Sequence, residues 1–228
     1  MSPEDRPIRP FDVDPEVLGA IRPMQFRDAW AVAQLHHAAM GRSLWSRLGL
    51  PFLLALYQSL VDCPWFVGFV YIENSEVRGF IAGSYDTSAM YRDIALRRYM
   101  FLGPAAALGL VRNPSAAKAL VETYRYFGVS GAADVPGESL FCSFAPDLRG
   151  KRVSGHINKV LFDELASRGH KQVKITTETD NEGANRQLQS WGFKDVHRFR
   201  FYGKDMVTYV LGLVGHPREE PLSRHPAV

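Results

Sequence analysis

Phe144-Ala145-Pro146-Asp147-Leu148-Arg149-Gly150-Lys151-Arg152-Val153-Ser154-Gly155 joins an apolar segment to an amphipathic one through a basic turn. Upstream, Glu138 to Phe144 (Glu-Ser-Leu-Phe-Cys-Ser-Phe) reads as a short, aromatic-rich buried strand, and Pro146, with no N–H to donate, ends its ladder. Downstream, Val153, Ile157, Val160, Leu161 and Leu165 recur at helical spacing, and Gly169 supplies a stop after Arg168. A helix that opens straight out of a turn aims its first unbonded N–H groups, and the positive end of its dipole, at whatever lies in front. Arg149, Lys151 and Arg152 add to that field. These residues predict an anion, a diphosphate or similar group, held at a helix N-terminus. An ordinary strand-to-helix turn with solvated charges gives the same pattern, so the stretch does not decide the matter alone.

A second pattern lies downstream. His170 to Glu178 alternates like a strand, and Asp180-Asn181-Glu182-Gly183-Ala184-Asn185-Arg186-Gln187-Leu188-Gln189-Ser190-Trp191-Gly192-Phe193 follows as a short helix closed by Gly-Phe. The two stretches together resemble the Gcn5-related N-acetyltransferase (GNAT) superfamily. Its acyl-CoA signature runs apolar, any, Pro, two residues, Arg or Gln, Gly, any, Gly, apolar, Gly or Ala, and Phe144, Pro146, Arg149, Gly150, Val153 and Ser154 fall on that frame. Arg152 stands where the signature usually has Gly, and Ser154 where it has Gly or Ala. Asn181, Ala184, Gly192 and Phe193 match the family's second motif, while its usual Tyr position holds Leu188. The resemblance covers Ile21 to Leu213 and is strongest from Glu138 onward.

That resemblance implies an α/β fold of the α+β type, a mixed, largely antiparallel central sheet flanked by helices. It implies acetyl-CoA as acyl donor, held by Phe144, Ala145, Arg149, Gly150, Lys151, Arg152, Val153 and Ser154, with Asn181 and Arg186 from the second motif. A bulge in the strand before the signature would offer a backbone N–H of Cys142 to Ala145 to the thioester carbonyl, and Glu138 would activate the amine through water. With Leu188 in place of Tyr, Tyr202 is the substitute candidate for the general acid, and Tyr85 an alternative. The implied activity is transfer of an acetyl group to a primary amine of a small-molecule or carbohydrate-linked acceptor. Two other readings stay open: a non-catalytic acyl-CoA-binding regulatory module, and a membrane-associated acyltransferase with a longer acyl chain.

Composition bounds the rest. The chain has 228 residues, 46% of them hydrophobic, enough to bury a sizeable core, and its net charge of +3 suits an anionic donor better than nucleic acid. Cys63 and Cys142 read as reduced core thiols in a cytoplasmic protein, with no disulfide framework and no metal spacing. Cys142 lacks an adjacent activating base in sequence, so a covalent carrier role is not expected. Met1 to Gly19 reads as a flexible leader without a signal peptide, residues 20–213 as the acetyltransferase domain, and 214–228 as a disordered tail. His36 and His37 diverge by about 100° on a helix and read as surface or rim histidines.

Ile21 to Met24 reads as a first strand, and the following helix runs through Trp30 and Leu35. A helical region at Ser43 to Leu60 breaks at Gly49 to Pro51, and Phe66–Ile72 and Val77–Tyr85 form a hairpin. The insertion at 86–137 should form helices at Tyr91–Leu102, Ala105–Val111 and Ser115–Phe127, broken at Gly103-Pro104 and Asn113-Pro114. Packing on the domain and forming a wall of the acceptor site is the preferred role; stable membrane insertion is not expected, and peripheral contact through 91–127 stays open. Val196–Phe201 and Met206–Leu213 close the chain as a hairpin. The sequence leaves monomer or homodimer open.

Overall fold

The computed structural model describes residues 13–41, 43–117, 134–201 and 203–213. In chain order the elements are α1 (Pro15–Gly19), β1 (Ile21–Pro23), α2 (Ala29–Ala39), α3 (Leu44–Arg47), α4 (Leu50–Val61), β2 (Phe66–Glu73), β3 (Glu76–Ser84), α5 (Thr87–Arg97), α6 (Tyr99–Arg112), β4 (Glu138–Phe144), α7 (Val153–Ser167), β5 (Gln172–Glu178), α8 (Glu182–Ser190), β6 (Lys194–Phe201) and β7 (Lys204–Gly212). The seven strands form one sheet in the order β1-β2-β3-β4-β5-β7-β6. Every neighbouring pair is antiparallel except β4 and β5, which run parallel. Asn74 and Ser75, with φ of 52° and 64°, make the tight β2–β3 turn, whose twist requires two left-handed residues.

Two apolar layers sandwich the sheet. On one face Ile157, Leu161 and Leu165 of α7 and Leu188 of α8 pack against Ile81, Val173, Val207 and Tyr209. On the other, Val32 of α2, with Phe52, Leu53 and Leu60 of α4 and Met90 of α5, covers Val70, Phe80 and Ala82. Pro51 sits in the first turn of α4, as its fixed φ and missing N–H favour.

Three expectations are corrected. Residues 15–19, placed in the leader, form α1: Asp14 caps it by accepting from the Glu16 amide (2.9 Å), and Val17 and Leu18 pack into the α7 layer. The insertion starts its helix earlier than Tyr91, because Asp86 accepts from the Ala89 amide (2.9 Å) as an N-cap. Its break falls at Arg98, and α6 runs through Pro104. The third insertion helix lies largely outside the described residues, as do most of the leader and the tail.

His36 overturns the surface reading, since it is fully buried between Phe80 and Phe141. The Ser43 hydroxyl donates to Ser46 (3.2 Å), so His36 Nε2–H donates weakly to Ser43 (3.4 Å), and Nδ1 accepts the Tyr57 hydroxyl (2.7 Å). Burial, with a smaller push from His37, lowers its pKa to about 4. An imidazole protonated more readily in the unfolded chain contributes stability that is present above pH 6.5 and is lost as the pH falls towards about 4. Denaturant melts at pH 7.5 and 5.0 should therefore show wild type losing about 2 kcal/mol more than His36→Gln. Equal losses would place the acid sensitivity elsewhere.

Candidate active site

β4 pairs with β5 only through Glu138–Lys174 and Ser139–Ile175, closed by the Lys174 amide donating to the Gly137 carbonyl (3.0 Å). Beyond Ser139 the two strands part, while β4 stays paired to β3 as far as Phe144. The register to β3 skips Leu140: Gly83 faces Ser139 and Ala82 faces Phe141. This is the expected bulge, placed just upstream of Cys142 to Ala145. Leu140 and Phe141 both turn to the α2–α4 layer, whereas Cys142 and Phe144 turn to the α7 layer.

The Ala145 amide donates to Arg78 of β3 (2.7 Å), so it is not free for a ligand. Backbone polar groups alternate sides along an antiparallel strand, and Ala145 and Ser143 therefore face β3 while Cys142 and Phe144 face the gap. Of the four amides that the sequence nominated, those two point at the opening.

At the mouth of the gap lies the basic turn. Pro146–Leu148 forms one 3-10 turn, and Arg78 grips Asp147 through both carboxylate oxygens (2.6 and 2.7 Å). Gly150 (φ 85°) has open space where a side chain would start. Arg152 takes φ 57° and ψ 8° as the residue before α7, a left-handed conformation that glycine adopts without strain. This explains why glycine is usual there, and what replacing it with arginine costs. The Val153 and Ser154 amides, in the first turn of α7, find no acceptor among the described residues. Lys151 pairs with Glu73 (3.7 Å), which also meets Arg78 (3.7 Å), whereas Arg149 is exposed and has no ion-pair partner among the described residues.

Residues that the sequence did not single out hold this turn in place. His156 is buried and accepts the Asp14 amide at Nε2 (2.8 Å), so its Nδ1–H donates to the Arg152 carbonyl (2.9 Å) and fixes the left-handed residue from behind. Asn158 donates to the Ser154 carbonyl (2.8 Å), and Gln187 of α8 donates to the Ser154 hydroxyl (3.2 Å). Asn181 caps α8, accepting from Ala184 (3.3 Å), and Arg186 lies on the exposed face of that helix, paired with Glu182 (3.1 Å). The structure thus brings together Phe144 to Ser154 and leaves Arg186 on the outside.

Glu138 stands at the closed end of the gap, on the α2–α4 face. Thr87 donates to its Oε2 (2.8 Å), which directs the Ser84 hydroxyl to donate to Thr87 (2.7 Å), and Lys174 lies 3.9 Å away. Burial raises the Glu138 pKa, against the opposing pull of Lys174 and Thr87. The next residue of β5 on that face, Thr176, is the first without a β4 partner; it bonds Thr208 (3.2 Å), which faces His197 of β6. His197 Nε2 is buried with no hydrogen-bond partner among the described residues. The period-two alternation of His197, Phe199 and Phe201 was the signal for this face, and the sequence reading passed over it.

The acid candidates fare differently. Tyr202 lies outside the described residues. Tyr85 donates to Glu164 (2.8 Å) on the α7 layer, and burial and that carboxylate push its pKa up to about 12, which leaves it a poor acid. Leu188 is buried in the α7 layer. Burial also pushes the Cys142 thiol up to about 12, so it is no nucleophile at neutral pH. No group of metal-ligating side chains occurs among the described residues.

The fold recurs in solved structures. A protein from Desulfovibrio desulfuricans assigned to the GNAT family aligns over 86% of this chain and 99% of its own, with 12% identity and a TM-score of 0.53. The chain has the GNAT acetyltransferase fold. SsHAT aligns over 86% of this chain and 98% of its own (16% identity, TM-score 0.60). The protein yncA from Salmonella typhimurium, solved with its cofactor acetyl-CoA, aligns over 88% of this chain and 96% of its own (17% identity, TM-score 0.55). No family model and no curated protein matches the sequence.

Arg152→Gly should relieve the left-handed backbone of this GNAT-fold turn and raise stability by about 1 kcal/mol in urea unfolding. No gain would mean that the arginine side chain offsets the strain.

Proposed function

We propose that this chain is an acetyl-CoA-dependent N-acetyltransferase acting on a primary amine of a small-molecule or carbohydrate-linked acceptor. The observation that carries the reading is the parting of β4 from β5 directly beside an anion-seeking turn: one linear ligand with a diphosphate and a thioester fits both features. The open space at Gly150, the Val153 and Ser154 amides and the Arg149 guanidinium suit the diphosphate. The gap-facing amides of Cys142 and Phe144 suit an acyl carbonyl, where a donor aimed at developing negative charge lowers the barrier.

Amine activation falls to Glu138, whose proton affinity is raised by burial. It sits on the α2–α4 face of the sheet, so the acceptor would enter from the side opposite α7, where Thr176, Thr208 and His197 also lie. The residue at the family's usual tyrosine position, Leu188, carries no acidic proton, so the thiolate would take one from Tyr202 or from water. Leu188 also favours the second reading, an acyl-CoA-binding module without turnover.

Calorimetric titration with acetyl-CoA should give one saturable site, weakened about 10- to 100-fold by Arg149→Glu, the scale of one charge-assisted contact turned repulsive. In an amine screen that follows release of the free thiol, Glu138→Gln should lower kcat at least about 100-fold while acetyl-CoA affinity is unchanged. Binding without thiol release for any amine would leave the module reading standing. No binding by the folded protein would remove both.

A further inference from the structure

α5 and α6 meet at an angle of 88° around Arg98, and the corner is apolar on its outside. Leu96 is 69% exposed, Tyr99 62%, Met100 75% and Phe101 54%. The exposure continues along α6 at Leu108 and Val111. Leu102, Ala105, Ala106 and Leu110 of the same helix pack inward on the α4 layer, so α6 is apolar on both its faces and, among the described residues, only one is covered. A helix with one face in water normally carries polar residues there, and a contiguous apolar strip of this kind marks a contact surface. The corner is also firmly seated. Gly109 lies so close to Leu48 that a methyl group there would stand 2.4 Å from its carbonyl oxygen, and Ala89, Met90 and Ile94 anchor α5.

Charge identifies the partner. From Thr87 to Ala117 there are four arginines, Arg92, Arg97, Arg98 and Arg112, and one acid, Asp93, a balance of +3. The whole chain is also +3, so the rest of the sequence is balanced. Arg97 and Arg98 interrupt the apolar residues at the corner itself, bound to Asp93 (2.9 Å) and Asp62 (3.5 Å) with much of each guanidinium still exposed. A second copy would bring the same positive charge against this one, which works against self-association through the corner.

We propose that the α5–α6 corner docks on an anionic lipid surface, with Leu96, Met100 and Phe101 entering the acyl region and Tyr99 and the arginines at headgroup level. Neither helix alone is long and apolar enough to cross a membrane. The two helices together have the length and apolar content of a bent span, but the inner face of α6 packs on the α4 layer, so the contact proposed is peripheral, and it does not depend on the acetyltransferase reading.

The test is flotation of the full chain with vesicles of phosphatidylcholine alone and of phosphatidylcholine with about a third phosphatidylserine, at low and high salt. The chain should bind the anionic vesicles, at least about tenfold more weakly at high salt, and bind the neutral ones little. Met100→Asp with Phe101→Asp should lower binding at least about tenfold. Arg97→Glu with Arg98→Glu should do the same. Met100 and Phe101 are on the surface, so the thermal melt of the Met100→Asp/Phe101→Asp protein should match wild type. No binding to anionic vesicles, or equal binding by the Met100→Asp/Phe101→Asp protein, overturns the proposal. A concentration-dependent dimer broken by that double variant, with no vesicle binding, would overturn it in favour of a second copy.

Discussion

Two neighbouring strands of one sheet fail to pair along most of their length. A parallel ladder between β4 and β5 would satisfy the backbone groups of Cys142 and Phe144, yet the pairs stop at Ser139. Backbone polar groups out of contact with protein need water or a ligand, so the gap is a standing demand for a hydrogen-bonding partner. The bulge at Leu140 accompanies this parting, because the extra residue re-aims the strand just where it leaves β5. The anion-seeking turn follows directly, since β4 must leave the sheet at the end of the gap before α7 can begin.

Packing on the far side fixes the opening. Phe144 lies over bare backbone at Gly79, where a methyl group would stand 2.3 Å from its ring. Gly83 likewise admits no side chain against the Glu138 carbonyl. Arg78 holds Asp147 while the Arg78 carbonyl takes the Ala145 amide, which ties the exit of β4 to β3 at two points. His156 and Gln187 then bind the start of α7 to α1 and α8. The opening is thereby carried by a rigid frame, which is what a preorganised binding site requires.

Much of this was legible in the residues. The strand Glu138 to Phe144 has the bounds its apolar run implies, and α7 begins at Val153, where the apolar period starts. These local patterns are strong because each is set by one face of one element. What was not legible depends on neighbours far along the chain. His36 looks like any polar helical residue until Tyr57 and Ser43 are folded around it. The placement of Glu138 beside Thr87 and Lys174 needs three separate elements, and the free amides of Cys142 and Phe144 follow only from a register. Pro104 read as a break, but α6 continues past it because the helix is supported along its inner face by α4. His197 was visible in the alternation of β6, but not the burial of its Nε2 without a partner among the described residues.

The parted strands and the turn beside them form one ligand site in this reading of the fold. Amide chemical shifts of the isotope-labelled protein, recorded with and without acetyl-CoA, test it most directly. Large changes should occur at Cys142 and Phe144 together with Gly150, Val153 and Ser154, all saturating at one ligand concentration. Changes confined to the turn, or centred on another part of the chain, would contradict it.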